Sequence, residues 1–136
     1  PAWTMGRKAI EPHTVGGYTI MPGSVALMSQ WVVHRDPRWW PGAEAFRPER
    51  WLNASDGNRE PGDGNRRRPK YSYFPFGGGS RVCIGESFAW TEAILLLATI
   101  GQYWKFSTEN APIPEPRITL RPKNLLMHCA RRSAVS

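Results

Sequence analysis

Ten consecutive residues hold the types and spacing that chemistry needs: Phe76-Gly77-Gly78-Gly79-Ser80-Arg81-Val82-Cys83-Ile84-Gly85. A run of glycines lets the backbone turn sharply and pass close to something flat or bulky. Cys83 follows, just ahead of a predicted helix N-terminus, where backbone N–H groups and the positive end of the helix dipole favour a thiolate. Arg81, two residues earlier, adds a positive charge or binds an anion. Phe76 can shield the sulfur from water. Together these residues describe a protected, single-thiolate ligand. Zinc and iron–sulfur clusters need several protein ligands, and no Cys-x-x-Cys or neighbouring His supplies them. A nucleophilic cysteine needs a base, and none of His13, His34 and His128 stands at a diagnostic spacing.

Heme iron accepts a single Cys thiolate as its axial ligand. The segment resembles the heme-binding signature of the cytochrome P450 superfamily, Phe-x-x-Gly-x-Arg-x-Cys-x-Gly, with Phe76, Gly79, Arg81, Cys83 and Gly85 at its fixed positions. The continuation Cys-x-Gly-x-x-Phe-Ala-x-x-Glu is met by Phe88, Ala89 and Glu92. Phe46-Arg47-Pro48-Glu49-Arg50-Trp51 resembles the family's Phe-x-Pro-Glu-Arg-Phe element, with Trp51 for the last Phe, and His34-Arg35-Asp36-Pro37 resembles the turn ahead of it. The likeness spans essentially residues 1–136 and corresponds to the C-terminal third of a family member. It implies a chain truncated upstream of Pro1, without the family's Glu-x-x-Arg helix or the acid/alcohol-Thr helix over the oxygen site.

The resemblance implies a role for each matched position. Cys83 is the axial ligand of a heme b iron and the chain's one metal ligand. Arg81 pairs with a heme propionate, and Gly79 and Gly85 let the backbone approach the porphyrin and the sulfur. Phe76 packs beside the sulfur, Ala89 seats the helix beneath the heme, and Glu92 makes a structural polar contact. Arg50 belongs to a Glu–Arg–Arg triad whose partners lie upstream, so on its own it lacks those charges and the surrounding loop loosens. Ala2, Trp3 and Met5 on one side, with Ile118 and Thr119 on the other, border an apolar substrate. The implied activity is monooxygenation with O2, although some relatives use peroxide or isomerise their substrates. Electrons come from a separate acidic ferredoxin, flavodoxin or reductase docking near Arg66–Lys70. The implied location is the cytoplasm, or the cytoplasmic face of a membrane if an anchor lies upstream. Two other readings stand beside this one. The first is a basic nucleic-acid module using residues 66–74, where Arg, Lys and aromatic residues interleave, although no nucleic acid is expected. The second is a non-catalytic fragment.

The elements that must position Cys83 are read from pattern. The fold class is an α+β fragment of a mostly α fold: a small antiparallel sheet, a meander, the Cys loop, a buried helix and terminal strands. Residues 1–29 read as strands, with Gly16-Gly17 as a hairpin turn and Val25–Met28 as a short buried strand. Gln30–His34 reads as a short helix stopped by Asp36-Pro37. Residues 86–100 read as the main helix, apolar nearly all round from Ile94 to Ile100 and therefore buried in a larger body, with Gly101 as its stop. Residues 103–107, 117–121 and 125–130 read as strands broken up by Pro112, Pro114, Pro116 and Pro122.

Composition bounds the rest. The chain has 136 residues, enough for one domain's core. Gly and Pro at 13 each point to loops, and seven Trp argue against disorder. The longest charge-free apolar run, Ala93–Trp104, falls short of the ~18 residues of a membrane span. Two cysteines exclude a disulfide-dense scaffold. The net charge of +7 is concentrated around Arg66–Lys70 and at Arg121, Lys123, Arg131 and Arg132, with no acid after Glu115.

Overall fold

A computed structural model describes residues 2–51 and 68–133. They form two compact units, Ala2–Pro75 and the part from Phe76 onward. Two residues of the run Arg66–Lys70, Arg66 and Arg67, lie outside the described residues.

The first unit begins with β1 (Met5–Lys8), which pairs antiparallel with β4 (Val25–Met28) in the register Met5↔Met28 to Lys8↔Val25. Nested between them, β2 (His13–Val15) and β3 (Tyr18–Ile20) form a hairpin. Its Gly16 and Gly17 have φ of 57° and 82°. A type I′ turn demands positive φ at both central residues, which is why glycine fills them. Met21-Pro22-Gly23-Ser24 closes on the Ser24 N–H to Met21 carbonyl bond (3.1 Å), returning the chain to β4. The strands expected here are present, but Val25 and Leu27 are exposed, so β4 is not the buried strand that its apolar run suggested.

Ser29 caps α1 (Gln30–Val33): its Oγ accepts the Val32 N–H (3.3 Å) and donates to the Trp3 carbonyl (3.1 Å). After α1 the chain turns on Asp36, whose Oδ1 accepts the Arg38 N–H (3.0 Å). It continues irregularly to a 3-10 turn at Pro48–Trp51. The core of this unit is built on Trp40, 5 % exposed.

The second unit opens with the loop Phe76–Gly85 and a 3-10 turn at Gly79–Arg81. Helix α2 (Glu86–Tyr103) follows, with Glu86 in the first turn, where a carboxylate suits the dipole. The helix runs through Gly101 rather than stopping there. Trp104 donates its N–H to the Ile100 carbonyl and turns extended (φ −128°, ψ 143°), so strand pairing, not glycine, ends the helix. No residue of α2 is buried within this chain.

Strand β5 (Trp104–Ser107) pairs antiparallel with β8 (His128–Arg131), and β6 (Ile113–Pro116) with β7 (Leu120–Lys123). Pro114, Pro116 and Pro122, three of the four prolines expected to break these strands, lie inside them, and of the strand expected at 117–121, residues 117–119 are the turn between β6 and β7 while 120–121 begin β7. Register explains the tolerance. Pro114 faces Pro122, and Pro116 faces Leu120. The next pair outward carries the Arg117 N–H to Thr119 carbonyl bond (3.2 Å). In an antiparallel ladder hydrogen-bonded and non-hydrogen-bonded pairs alternate, so all three prolines occupy non-hydrogen-bonded positions and remove no ladder bond.

Candidate functional site

The loop that carries Cys83 is closed by a backbone bond from the Cys83 N–H to the Phe76 carbonyl (2.9 Å). The six residues between them are thereby folded back on themselves, which requires left-handed backbone at Gly77 (φ 80°) and Gly79 (φ 68°). The 3-10 turn is pinned by the Val82 N–H to Gly79 carbonyl bond (3.2 Å). Beyond the cysteine, the Ala89 N–H bonds the Gly85 carbonyl (2.9 Å) and starts α2. The Cys83 side chain is exposed, and a Cβ placed on Gly85 would lie 3.7 Å from its Sγ. The Phe76 ring packs against Trp90 of α2, centroids 6.1 Å apart, tying the start of the loop to the second turn of the helix. Arg81 is exposed and makes no hydrogen bond or ion pair among the described residues. Also among the described residues, no group of three or more His, Cys, Asp or Glu side chains is placed to hold a metal ion.

The end of the first unit is anchored by buried polar groups. The Trp40 indole Nε1–H donates to the Ser72 carbonyl (3.0 Å), and both residues are buried. The Arg68 guanidinium lies over the Trp40 ring, 4.1 Å from its centroid, while its Nε–H donates to the Trp39 carbonyl (3.1 Å). Tyr73 packs against Trp40 and Trp51, centroids 5.6 and 4.8 Å away. His34 Nε2 accepts the Phe74 N–H (2.9 Å), which fixes that nitrogen as unprotonated. Burial, and then the neighbouring Arg35 charge, hold the His34 pKa below its ordinary value. Arg50, 6 % exposed, donates from Nη2 to the carbonyls of Pro41 and Gly42 (2.8 Å each).

A family model for cytochrome P450 matches residues 1–130. The chain belongs to the cytochrome P450 family. It is 42 % identical over 123 residues to cyclooctatin synthase of Streptomyces melanosporofaciens, covering 90 % of this chain and 24 % of that protein. It is 37 % identical over 134 residues to the putative cytochrome P450 132 of Mycobacterium bovis, covering 96 % and 26 %. Among solved structures, the cytochrome P450DA heme domain superposes with a TM-score of 0.79 at 28 % identity, covering 96 % of this chain and 28 % of that one. Retinoic acid-bound cyanobacterial CYP120A1 gives 0.78 at 26 %, covering 97 % and 30 %. The chain therefore spans about a quarter of the length of the curated relatives it matches.

Heme is the cofactor of P450 proteins, and the donor set fits it: one exposed thiol, one exposed unpaired guanidinium two residues earlier, and no cluster of further metal donors among the described residues. The structure brings Phe76, Gly79, Arg81, Cys83, Gly85 and Ala89 into one loop-and-helix corner. Ala2, Trp3 and Met5 lie in the first unit, at and just before β1, with the Trp3 carbonyl taken by Ser29 and by the Trp31 N–H (3.2 Å). Ile118 and Thr119 form the β6–β7 turn in the second unit, Ile118 fully displayed.

One expectation, that of Arg68, needs correction. Arg50 is held by the Pro41 and Gly42 carbonyls and is among the most buried residues of its unit. Glu92 is exposed and makes no polar contact among the described residues. Arg68 is not part of a solvated docking patch: it is 4 % exposed and stacked on Trp40. The nucleic-acid reading of residues 66–74 falls partly outside the described residues, since Arg66 and Arg67 do. Of the described residues there, Arg68 and Ser72 are buried, and Tyr73 and Phe74 pack against His34. The sequence reading singled out neither Trp40 nor Trp90, and it marked His34 only as part of the His34–Pro37 turn. Only the clustering of aromatics around Trp40 and Tyr73 signalled them in the sequence.

Proposed function

We propose that this chain is the heme-ligating C-terminal part of a longer heme-thiolate monooxygenase, with Cys83 as the axial ligand. The observation that carries the reading is the exposed Cys83 thiol at the end of a loop closed by its own N–H on the Phe76 carbonyl, immediately before α2. When bound, heme b supplies the iron at which O2 and two electrons and two protons become one water and one oxygen atom inserted into an apolar substrate.

The chain's residues hold and tune that group. Cys83 offers a thiolate, with the N-terminal end of α2 favouring its negative charge. Its N–H stays occupied by Phe76, so the loop keeps its shape whichever ligand the sulfur takes. Arg81 offers its guanidinium to a propionate. The Phe76 ring, braced by Trp90, keeps water from one side of the sulfur. Gly85 leaves the space beside Sγ without a side chain. Ala2, Trp3, Met5, Ile118 and Thr119 border the substrate. The electron donor is a separate acidic ferredoxin, flavodoxin or reductase.

An apolar substrate is supported by two relatives' names. One is a cyclooctat-9-en-7-ol 5-monooxygenase, 35 % identical over 114 residues, and the other is the structure with retinoic acid bound. Among the described residues no helix is long and apolar enough to cross a membrane.

The test is the ferrous–CO spectrum of the whole protein. Wild type and Cys129→Ser should both give the red-shifted Soret band of thiolate ligation, and Cys83→Ser should lose it. Survival of that band in Cys83→Ser contradicts the assignment. Arg81→Ala should release heme faster to an apo-globin acceptor, and unchanged release contradicts the propionate role.

A further inference from the structure

Phe76 is held at its backbone and not, by the same bonds, at its ring. Its carbonyl accepts the Cys83 N–H (2.9 Å), and left-handed Gly77 bends the chain directly after it. These two features fix where the Phe76 backbone stands and leave the ring its side-chain torsions. Among the described residues the ring has one aromatic partner, Trp90 of α2, with centroids 6.1 Å apart and planes inclined by 55°. We propose that Trp90 is a positioning residue that sets the reduction potential of the bound iron by holding the Phe76 ring beside the Cys83 sulfur. The proposal rests on the reading of Cys83 as the axial ligand.

The local chain makes the brace stiff. Helix α2 begins at Glu86, three residues after Cys83, so the indole stands on the second turn of the helix that the cysteine leads into. Ring, cysteine and indole therefore lie within residues 76–90. The backbone bond closes this stretch once, and the ring contact closes it a second time. A tilted pair at this spacing is attractive. Both residues belong to the same compact unit, so their contact is made inside it.

The electrostatics give the direction. One electron from the donor takes the iron from ferric to ferrous and leaves one more negative charge next to the thiolate. Water at the sulfur favours that charge in two ways. Polar solvent stabilises it, and a hydrogen bond to the sulfur withdraws electron density that would otherwise reach the iron. A ring that excludes water therefore keeps the potential low, and a ring free to swing away lets it rise. Linkage bounds the size. Trp90 acts only through the position of Phe76, so its removal shifts the reduction equilibrium by no more than the ring pair is worth. That is about fivefold for such a pair, or about 40 mV for one electron.

Spectroelectrochemical titration of the heme-loaded whole protein, with redox mediators, tests this. Trp90→Leu and Trp90→Ala lose the ring and should shift the equilibrium toward ferrous iron by about threefold to fivefold. Trp90→Phe keeps a ring and should stay near wild type. Phe76→Leu should raise the potential by itself, and adding Trp90→Leu to it should change nothing further, because the ring through which Trp90 acts is gone. A purely structural role for the indole would speed heme release in either background without moving the potential. An unmoved potential in Trp90→Leu, or an equal rise in both backgrounds, overturns the proposal. The ferrous–CO spectra of the same samples keep the two readings apart. A red-shifted Soret band with an unmoved potential sinks the role of Trp90 alone, and its absence in wild type sinks Cys83 ligation and this proposal with it.

Discussion

Trp40 is the residue through which the first unit holds the chain that leads into the cysteine loop. Its indole N–H takes the Ser72 carbonyl, four residues before Phe76. Its ring also carries Arg68 at 4.1 Å and packs against Trp51 and Tyr73. Trp40→Phe keeps a ring in the cluster and removes only the donor. The lost bond together with a stranded buried carbonyl gives a cost of about 2 kcal/mol. Trp40→Ala removes the ring as well. Large-to-small changes of this kind cost about 3–5 kcal/mol, so about 4 kcal/mol is expected. With a urea m value of about 2 kcal/mol/M these become midpoint shifts of about 1 M and about 2 M. Urea unfolding followed by far-ultraviolet circular dichroism reads them, and heme retention should fall in the same order. Equal shifts for the two variants would show that the hydrogen bond, not the ring, carries the cluster. Shifts below about 0.3 M for both, small beside the hydrogen-bond term alone, would refute the role given to Trp40.

Two further outcomes follow from single contacts. The folded pKa of His34 is lowered from its ordinary 6.5, so the unfolded chain takes up the proton first. The stability contributed by His34 is therefore present above pH 6.5 and lost as pH falls through the lowered value. Urea midpoints across that window should drop for wild type and not for His34→Gln, and an equal drop in the variant would place the titration elsewhere. Gly79 has φ of 68° and open space where a Cβ would stand. Gly79→Ala should therefore cost only the backbone term of about 1 kcal/mol and leave the loop closed, and a loss above about 3 kcal/mol, beyond that backbone term, would mean that the side chain meets something the chain alone does not contain.

Cysteine chemistry was the most legible part of the sequence, because Phe76, Gly79, Arg81, Cys83 and Gly85 form a local pattern and the loop they make is itself local. The hairpin at Gly16-Gly17 and the body of α2 were legible for the same reason: turn chemistry and helical spacing act over a few residues. Long-range register was not. Pro114, Pro116 and Pro122 looked like strand breakers, since only the pairing partner reveals which positions need no N–H. Gly101 looked like a helix stop because propensity favours one there, whereas the pairing of β5 with β8 decides where α2 ends. The contacts of His34, Trp40, Arg50 and Arg68 escaped because their partners are backbone carbonyls and amides up to 40 residues away, which no side-chain motif announces.

Iron K-edge X-ray absorption on the heme-loaded protein tests the central assignment most directly, since it reads the atoms bound to iron. Wild type and Cys129→Ser should both show a sulfur scatterer in the first shell, and Cys83→Ser should show only nitrogen and oxygen. A sulfur neighbour persisting in Cys83→Ser, or none in wild type, would contradict the account.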